Sequence, residues 1–547
     1  MLGKFFDRIL HEEEDIASGE KGPEEEIKET ASSVKKNRLD IFLALLFFLG
    51  AVIVRLYFLY FVSDPQNAGD GWYGDTYHHW QIAYLTREVG LDQGFLRLWD
   101  LKGMEYFWGP LHPILMIVSF ALSGSVSIEN ARILSLVFGS LTIVAIYFLV
   151  SKFWGRWAAS ASAFLAVIHP VAILNDTSGM LEPIGFFLLF VGLLLLESAP
   201  LFAGILWAWA SLARAEAWMF GILLLFLSSR VLKKPGQLAK VFLGWVIMTI
   251  LYMKYLLDYT GNPIYPIWWN YLANARGVWA NNVVYSSYQL AVKPYLAAWF
   301  VLSLIVMLVI WWRNKAKSSV FLIFGFANWA FIGGFMGLTH YLSGFQPWFW
   351  YIRFFEFPYI FAGVIVSIFL FHMLPKLAPL LHKIYLKWVF WIPILLIALL
   401  YQIVFWKPIL EKYDSTRPSW QRTRSWAEEF AQAYDEGRVL IPEGDPSFTY
   451  ALVYFQGIGG KDIIGQMFDP FFYMEGDPYE NWGENREIVL GWMKKEDITL
   501  ILVDSERERY KKLFEREEAN KYFEFAKVIP NSKFLVYKVF PERIRIE

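Results

Sequence analysis

Long apolar segments separated by short polar turns run through the first three quarters of the chain. The first covers residues 41–62 and follows the basic group Lys35-Lys36-Asn37-Arg38. About 20 apolar residues are enough to cross the hydrocarbon core of a bilayer. Further segments of this kind lie at roughly 128–150, 157–174, 182–197, 200–213, 215–231, 238–257, 295–312, 320–338, 351–372 and 388–406. The pattern predicts a polytopic α-helical membrane protein with about 11 transmembrane helices.

The loops between these segments indicate which helix ends face the cytoplasm. Loops 152–156, 230–237, 313–318 and 375–387 all carry lysine or arginine, and the positive-inside rule assigns such loops to the cytoplasm. This alternation holds only if the short apolar segment 110–124 does not cross the membrane. We therefore expect interfacial helices over 80–124, a cytoplasmic N-terminus, and an external first loop that extends from 63 to 124.

The composition changes on both sides of the predicted transmembrane domain, 39–406. Residues 1–38 are acidic and predict a solvated, partly disordered cytoplasmic tail. From residue 407 charged and turn residues return, and we predict a small external α/β domain over 407–547. Its predicted helices are at 426–436, 484–495 and 506–524, and its predicted buried parallel strands are at 438–441, 500–503 and 534–539.

Composition also limits the chemistry. Apolar residues make up 56% and aromatic residues 19% of the chain, with 26 Trp and 48 Phe, as suits lipid-facing surfaces and interfacial aromatic belts. The net charge of -1 gives no reason to expect nucleic acid as a partner. The chain has no cysteine, which excludes disulfides, thiolate catalysis and Cys-ligated metals.

The segment 69–80, directly after the first apolar span, concentrates polar chemistry at the membrane surface. It contains Asp70, Asp75, His78 and His79 among aromatic residues. A carboxylate in such a place could accept a proton from a hydroxyl or hold a metal. The structural alternative is that both aspartates only cap helices. Adjacent histidines point in different directions on a helix, which argues against a joint metal site.

A second polar cluster, 175–183, forms a predicted external turn between two spans. Glu182 is followed by Pro183, which is a signal for a helix start, and a carboxylate in the first helical turn is favoured by the helix dipole. Yet the loop also carries Asp176 and shares a face with the first loop. Ionisable groups at a membrane boundary indicate function by default.

Two more polar clusters are expected on the same face. Arg214 and Glu216 lie between short apolar runs and could simply pair with neighbouring charges. Tyr351 and Arg353 lie at the outer start of a span. A guanidinium there could clamp a lipid-linked phosphate or snorkel to the interface. The four clusters together favour a functional site on the external face.

At these motifs the chain resembles the GT-C superfamily of membrane glycosyltransferases, and is most similar to the family 39 branch of protein mannosyltransferases and lipid A aminoarabinose transferase-like proteins. The resemblance covers roughly residues 40–375. Its motifs are Asp75 in the first external loop, Trp108-Gly109-Pro110-Leu111-His112-Pro113, Ala131-Arg132-Ile133-Leu134-Ser135, His169-Pro170 with Leu181-Glu182-Pro183, and Arg353 followed by Pro358. The family's first loop often has Asp-Glu in tandem, whereas Thr76 follows Asp75 here.

The resemblance implies an inverting transfer of a sugar from a polyprenyl (dolichyl or undecaprenyl) phosphate donor. Asp75 would be the general base, or its positioner, on a hydroxyl of an acceptor protein or glycolipid, and Glu182 would orient donor or acceptor. Arg353 and Arg214 would stabilise the lipid phosphate charge. The residues predicted to bind substrate or lipid phosphate are Arg214, Arg353, Asp70, His112 and Tyr351.

Two alternatives remain open at this point. Residues 75–80 also resemble the metal-binding first-loop motif of oligosaccharyltransferase catalytic subunits, which transfer a whole glycan en bloc. If a divalent metal such as Mg²⁺ or Mn²⁺ is used, Asp75, Glu182 and Asp176 would hold it. A transporter of lipid-linked glycans is the non-enzymatic alternative, but such transporters are often built from repeats, and the sequence has no visible repeat.

Overall fold

The computed structural model describes residues 23–63, 74–90, 106, 108–232, 234–275, 301, 305, 308, 356–373, 406, 422–441, 446–464, 490–491, 493–506 and 519–545. Most of these residues are helical. The helices are α1 (Pro23–Tyr57), α2 (Gly74–Leu85), α3 (Leu111–Ser123), α4 (Glu129–Trp154), α5 (Arg156–Ile168), α6 (Pro170–Thr177), α7 (Glu182–Leu195), α8 (Pro200–Ala213), α9 (Glu216–Val231), α10 (Pro235–Thr260), α11 (Tyr265–Ala275), α12 (Glu356–Ile368), α13 (residues 422–431) and α14 (Pro446–Tyr454). Short π-helical turns continue α1 to Ser63, α2 to Gly90 and α12 to Met373.

Within the described residues, three helical segments are long and apolar enough to cross a membrane: Arg38–Ser63, Glu129–Trp154 and Pro235–Thr260. A fourth span forms if α5 and α6 are counted together. The shorter apolar helices α7 and α8 lie where spans were predicted, but each has only 14 residues, fewer than the roughly 20 that a perpendicular crossing takes. The predicted spans at 295–312, 320–338 and 388–406 lie almost entirely outside the described residues.

The predicted span 157–174 is not one straight helix. Its two halves, α5 and α6, meet at an angle of 59°. The break lies at His169, whose backbone is extended with ψ of 119°, and Pro170 begins the next helix. The break has a local cause, because a residue before proline avoids the α-helical region and proline is well tolerated at the first helical position.

The described part of the acidic N-terminal segment is helical. Helix α1 begins at Pro23, so residues 23–38 of the predicted tail are continuous with the first membrane helix. The packed core of the helical region lies where α4, α5, α7 and α8 meet, and α10 packs along α8. Small residues allow these helices to approach closely: at Gly204 of α8, an added Cβ would lie 2.0 Å from the Val241 carbonyl oxygen of α10.

The C-terminal part contains a five-stranded mixed sheet in the order β2-β1-β3-β5-β4. The strands are β1 (Arg438–Leu440), β2 (Ile463–Ile464), β3 (Ile498–Asp504), β4 (Phe523–Val528) and β5 (Phe534–Val539). The three predicted strands are confirmed as β1, β3 and β5, and β1 is parallel to β3. The prediction of parallel pairing is wrong for β5, which runs antiparallel to β3 and β4. Most of the predicted helical stretch 506–524 lies outside the described residues, and its last two residues belong to β4. A tight turn at 529–533 joins β4 and β5 in a hairpin.

The sheet packs against helices α2 and α3 rather than standing apart from them. One continuous apolar core includes Tyr77 and Trp80 of α2, Met116 of α3, and Val439 and Leu500 of the sheet. Helix α14 lies between the two parts and contacts α2. The Tyr450 ring of α14 contacts Tyr77 and Trp80 of α2, and both of these side chains are buried.

Candidate active site

Asp75 lies in the first turn of α2, where it is half-buried. An acidic residue in this position is stabilised by the positive end of the helix dipole. The position of Asp75 at the helix start therefore agrees with a capping role and equally with a catalytic role for its carboxylate. Asp70, in the segment just before the helix, lies outside the described residues.

Thr76, the next residue, joins α2 to the second polar cluster. Its side chain is fully buried, and its hydroxyl donates a hydrogen bond to the carbonyl oxygen of Ser178. The approach is close enough that a Cβ added to Gly179 would lie 2.6 Å from the Thr76 methyl group. The first and second predicted clusters are therefore in direct contact.

Glu182 begins α7 and is almost completely buried. Its Oε1 accepts a hydrogen bond from Arg214 at 2.5 Å, and the same guanidinium donates two hydrogen bonds to Glu216, at 2.9 and 2.5 Å. Gly185, one turn along α7, leaves room for the Arg214 side chain, whose Cγ would lie 3.1 Å from an added Cβ. The second and third clusters thus form one charged group of one cation and two carboxylates.

Asp176 of the second cluster is buried against Arg55, a residue of the first membrane helix that the sequence analysis did not single out. The Arg55 Nε and Nη2 atoms both lie 2.6 Å from Asp176 Oδ2. Space for this carboxylate exists because Gly139 faces it from α4, where an added Cβ would lie 2.0 Å from the Asp176 Cγ. Arg55 could have been recognised from the sequence, because an arginine inside a membrane span needs a partner.

The fourth cluster reaches the second through Glu356. The Asn175 Nδ2 atom donates a hydrogen bond to Glu356 Oε2 at 2.8 Å, with both side chains buried. Tyr351 and Arg353, the residues predicted from this cluster to bind lipid phosphate, lie outside the described residues. The sequence analysis did not single out Glu356, and its partner on α6 could not be predicted from local pattern.

His112 lies on α3 and faces α2. Its ring is 1% exposed and contacts His79 edge-on, with ring centroids 4.9 Å apart, while His79 also contacts Trp108. Burial lowers the pKa of His112 to about 3, so the ring is neutral at ordinary pH. A neutral imidazole can orient a hydroxyl but does not supply a positive charge for a phosphate.

Two of the three residues named as possible metal ligands, Asp176 and Glu182, are engaged in ion pairs. Among the described residues, no group of three or more His, Asp or Glu side chains could hold a metal ion. Asp176 and Glu182 each already bind an arginine, and each of these ion pairs would have to break before its carboxylate could bind a cation. The donor set Asp75, Glu182 and Asp176 therefore does not fit a shared metal site.

No protein-family model matches the chain, and no curated protein matches its sequence. Solved structures do match its fold. The chain is similar to ArnT from Cupriavidus metallidurans bound to undecaprenyl phosphate, with a TM-score of 0.53, 13% identity, and coverage of 90% of this chain and 97% of that one. The chain therefore shares the fold of ArnT, as the resemblance noted in the sequence predicted.

Structures of the archaeal oligosaccharyltransferase AglB from Archaeoglobus fulgidus also match. The complex with an inhibitory peptide and a dolichol-phosphate has a TM-score of 0.49 at 13% identity, covering 91% of this chain and 74% of that one. An Archaeoglobus fulgidus oligosaccharyltransferase in complex with Zn and sulfate has a TM-score of 0.48 at 14% identity, covering 90% of this chain and 72% of that one.

Proposed function

We propose that this protein transfers a sugar from a polyprenyl-phosphate-linked donor to an acceptor hydroxyl at the external membrane face. The main support is the position of Asp75, a half-buried carboxylate next to Thr76, whose hydroxyl binds Ser178 of the second polar cluster. The fold shared with ArnT, which was solved with undecaprenyl phosphate bound, agrees with a lipid-linked donor.

In the proposed reaction the acceptor oxygen attacks the anomeric carbon of the donor sugar from the face opposite the phosphate. The Asp75 carboxylate takes the acceptor proton as the new glycosidic bond forms. The bond between the anomeric carbon and the phosphate oxygen breaks, and the polyprenyl phosphate leaves with that electron pair. The configuration at the anomeric carbon is inverted.

The arginines divide between two roles in this proposal. Arg214 already faces the two carboxylates of Glu182 and Glu216, so its charge is balanced before any phosphate arrives. We therefore assign it to holding Glu182 in place to orient the substrate, instead of the phosphate contact suggested by the sequence. Arg353 remains the proposed partner of the lipid phosphate, because a guanidinium fork matches phosphate oxygens.

Substituting Asp75→Asn tests the proposal. The purified protein in liposomes is given radiolabelled undecaprenyl- and dolichyl-phosphate hexoses and pentoses, with acceptors chosen by mass spectrometry of glycans and lipids from a strain lacking the protein. Since a general base contributes about 10²–10⁴-fold, sugar transfer should fall by that factor while donor binding persists. The matched control is Asp258→Asn, whose exposed carboxylate pairs with Lys254 one turn away. Transfer at the wild-type rate by Asp75→Asn contradicts the proposal.

The two alternatives make different predictions in the same liposomes. En bloc, metal-dependent transfer requires that a chelator abolish activity and that an oligosaccharide move as one unit. A transporter requires that the labelled lipid change leaflets without losing its sugar. The proposed reaction instead releases polyprenyl phosphate in equal amount to the sugar transferred.

A further inference from the structure

The Thr76 side chain contacts a loop outside its own helix, α2. Its hydroxyl donates to the Ser178 carbonyl oxygen, and its methyl group occupies the space beside Gly179. Gly179 has a φ of +79°, a conformation that glycine adopts without strain. A side chain at 179 would displace Thr76, so the two residues fit each other as a pair.

The loop that Thr76 contacts is itself held by α4. Arg132 donates to the Thr177 carbonyl oxygen at 2.7 Å, and Ser135 donates to the Met180 carbonyl oxygen at 2.5 Å. Three carbonyl oxygens of the loop 177–180 are therefore bound by buried side chains, two from α4 and one from α2. Two residues after Met180, the same chain reaches Glu182.

We propose that Thr76 is a positioning residue that holds Asp75 at a set distance from the Glu182 loop. Asp75 is adjacent to Thr76 in the first turn of α2, so a displacement of Thr76 from Ser178 moves Asp75 with it. The kinetic part of this inference rests on the proposed transferase activity. Thr76 does not touch the reacting atoms, and its effect passes through the backbone it shares with Asp75.

The substitution Thr76→Val tests this, because valine keeps the shape and removes the hydroxyl. Since misplacing a catalytic group by about 1 Å can cost about 100-fold in rate, we expect kcat to fall by about 10- to 100-fold with KM for the lipid-linked donor nearly unchanged. Thr76→Ser restores the hydroxyl and should recover most of the lost kcat. The matched control is Thr142→Val, which removes a buried hydroxyl that bonds only along its own helix, to Phe138 at 2.9 Å.

A second measurement does not depend on activity. The chain contains no cysteine, so Asp75→Cys introduces a single thiol at the position of interest, and its alkylation by a maleimide can be timed. Adding Thr76→Val should change that alkylation rate severalfold, whereas adding Thr142→Val should leave it as it was.

The two measurements separate the inference from the proposed function. If Asp75→Asn keeps full transfer activity but Thr76→Val still changes the alkylation rate, the proposed function is wrong and the positioning role stands. If Thr76→Val behaves like Thr142→Val in both alkylation and kcat, the inference is overturned. A fall in kcat that Thr76→Ser does not recover also contradicts it.

Discussion

Arg55 and Asp176 show how a single residue pair can stabilise the centre of a membrane protein. Both side chains are buried, and Arg55 also donates to the carbonyl oxygen of Val167 at 3.2 Å, so its fork joins α1 to both halves of the broken span. The cost of removing two charges from water is offset here by short contacts and further hydrogen bonds. If one partner is removed, the other charge stays buried, and its desolvation cost is no longer offset by an ion pair.

Replacing Arg55 by methionine should therefore destabilise the protein strongly. Removing one member of a buried ion pair costs about 3–5 kcal/mol, which thermal unfolding in detergent would register as a clear fall in Tm. Lys152→Met is the control, because Lys152 pairs with Glu197 at 2.5 Å with side chains 38% and 30% exposed, and exposed pairs contribute about 0–1 kcal/mol. Equal falls in Tm for the two variants would contradict a stabilising role for the buried pair.

At the scale of elements, the broken span α5–α6 is packed around its charged residue. Helix α4 approaches α6 where Gly139 faces the Asp176 carboxyl group. After the bend at His169, α6 ends within the second polar cluster, and the loop that follows leads to Glu182. A straight helix over this segment would end at a different place, so the break helps to position the loop that Thr76 contacts.

Gly139→Ala tests the close approach of these elements. The added Cβ would lie about 2 Å from a carboxyl group held by an ion pair, and overpacking of this kind costs about 1–3 kcal/mol. Gly50→Ala, in α1, is the matched control because a Cβ there meets nothing within 4 Å and alanine favours a helix by about 1 kcal/mol. The Tm should fall for Gly139→Ala and hold or rise for Gly50→Ala. The opposite order would mean that α4 does not constrain Asp176.

At the scale of the whole molecule, the C-terminal sheet and the helical region share α2. The Tyr84 hydroxyl of α2 accepts a hydrogen bond from the Gly460 backbone at 3.2 Å, and the Tyr450 hydroxyl of α14 accepts one from the Ile128 backbone at 3.3 Å. The Tyr450 ring also contacts Tyr77 and Trp80. Burial raises the pKa of the Tyr84 phenol, so it stays protonated at neutral pH. Helix α2 is thus held by the loop at one end and by the C-terminal part along its side.

The double substitution Tyr84→Phe and Tyr450→Phe should loosen α2 without unfolding the protein. Each lost hydrogen bond is worth about 0.5–1.5 kcal/mol, and hydrogen exchange followed by mass spectrometry should show faster exchange in the peptides of α2. Tyr434→Phe is the control, since its hydroxyl bonds only to nearby Gly437 within the C-terminal part. Unchanged exchange in α2 would mean that the C-terminal contact does not stabilise this helix.

The features that the sequence determined by itself are those set by neighbours along the chain. Apolar length predicted membrane helices, the run from Phe534 to Val539 predicted a strand, and Glu182 before Pro183 predicted a helix start. The sequence also located the four polar clusters, and it placed Asp75 at the beginning of a helix. Pro170 is a local signal for the bend at His169, but the span was predicted from apolar length alone, which does not register a break.

Only the tertiary structure decided which charged and polar groups meet. Arg55 binds a carboxylate 121 residues away, Thr76 a carbonyl 102 residues away, and Asn175 a carboxylate 181 residues away. Periodicity and capping depend on residues within one or two turns, so they carry no information on such partners. Helix packing selects the charge partners. A buried charge has no water to bind, so it pairs with a protein group that the fold brings within hydrogen-bonding distance. For that reason the sequence could locate Asp75, but the hydrogen bond from the adjacent Thr76 to Ser178 became visible only in three dimensions.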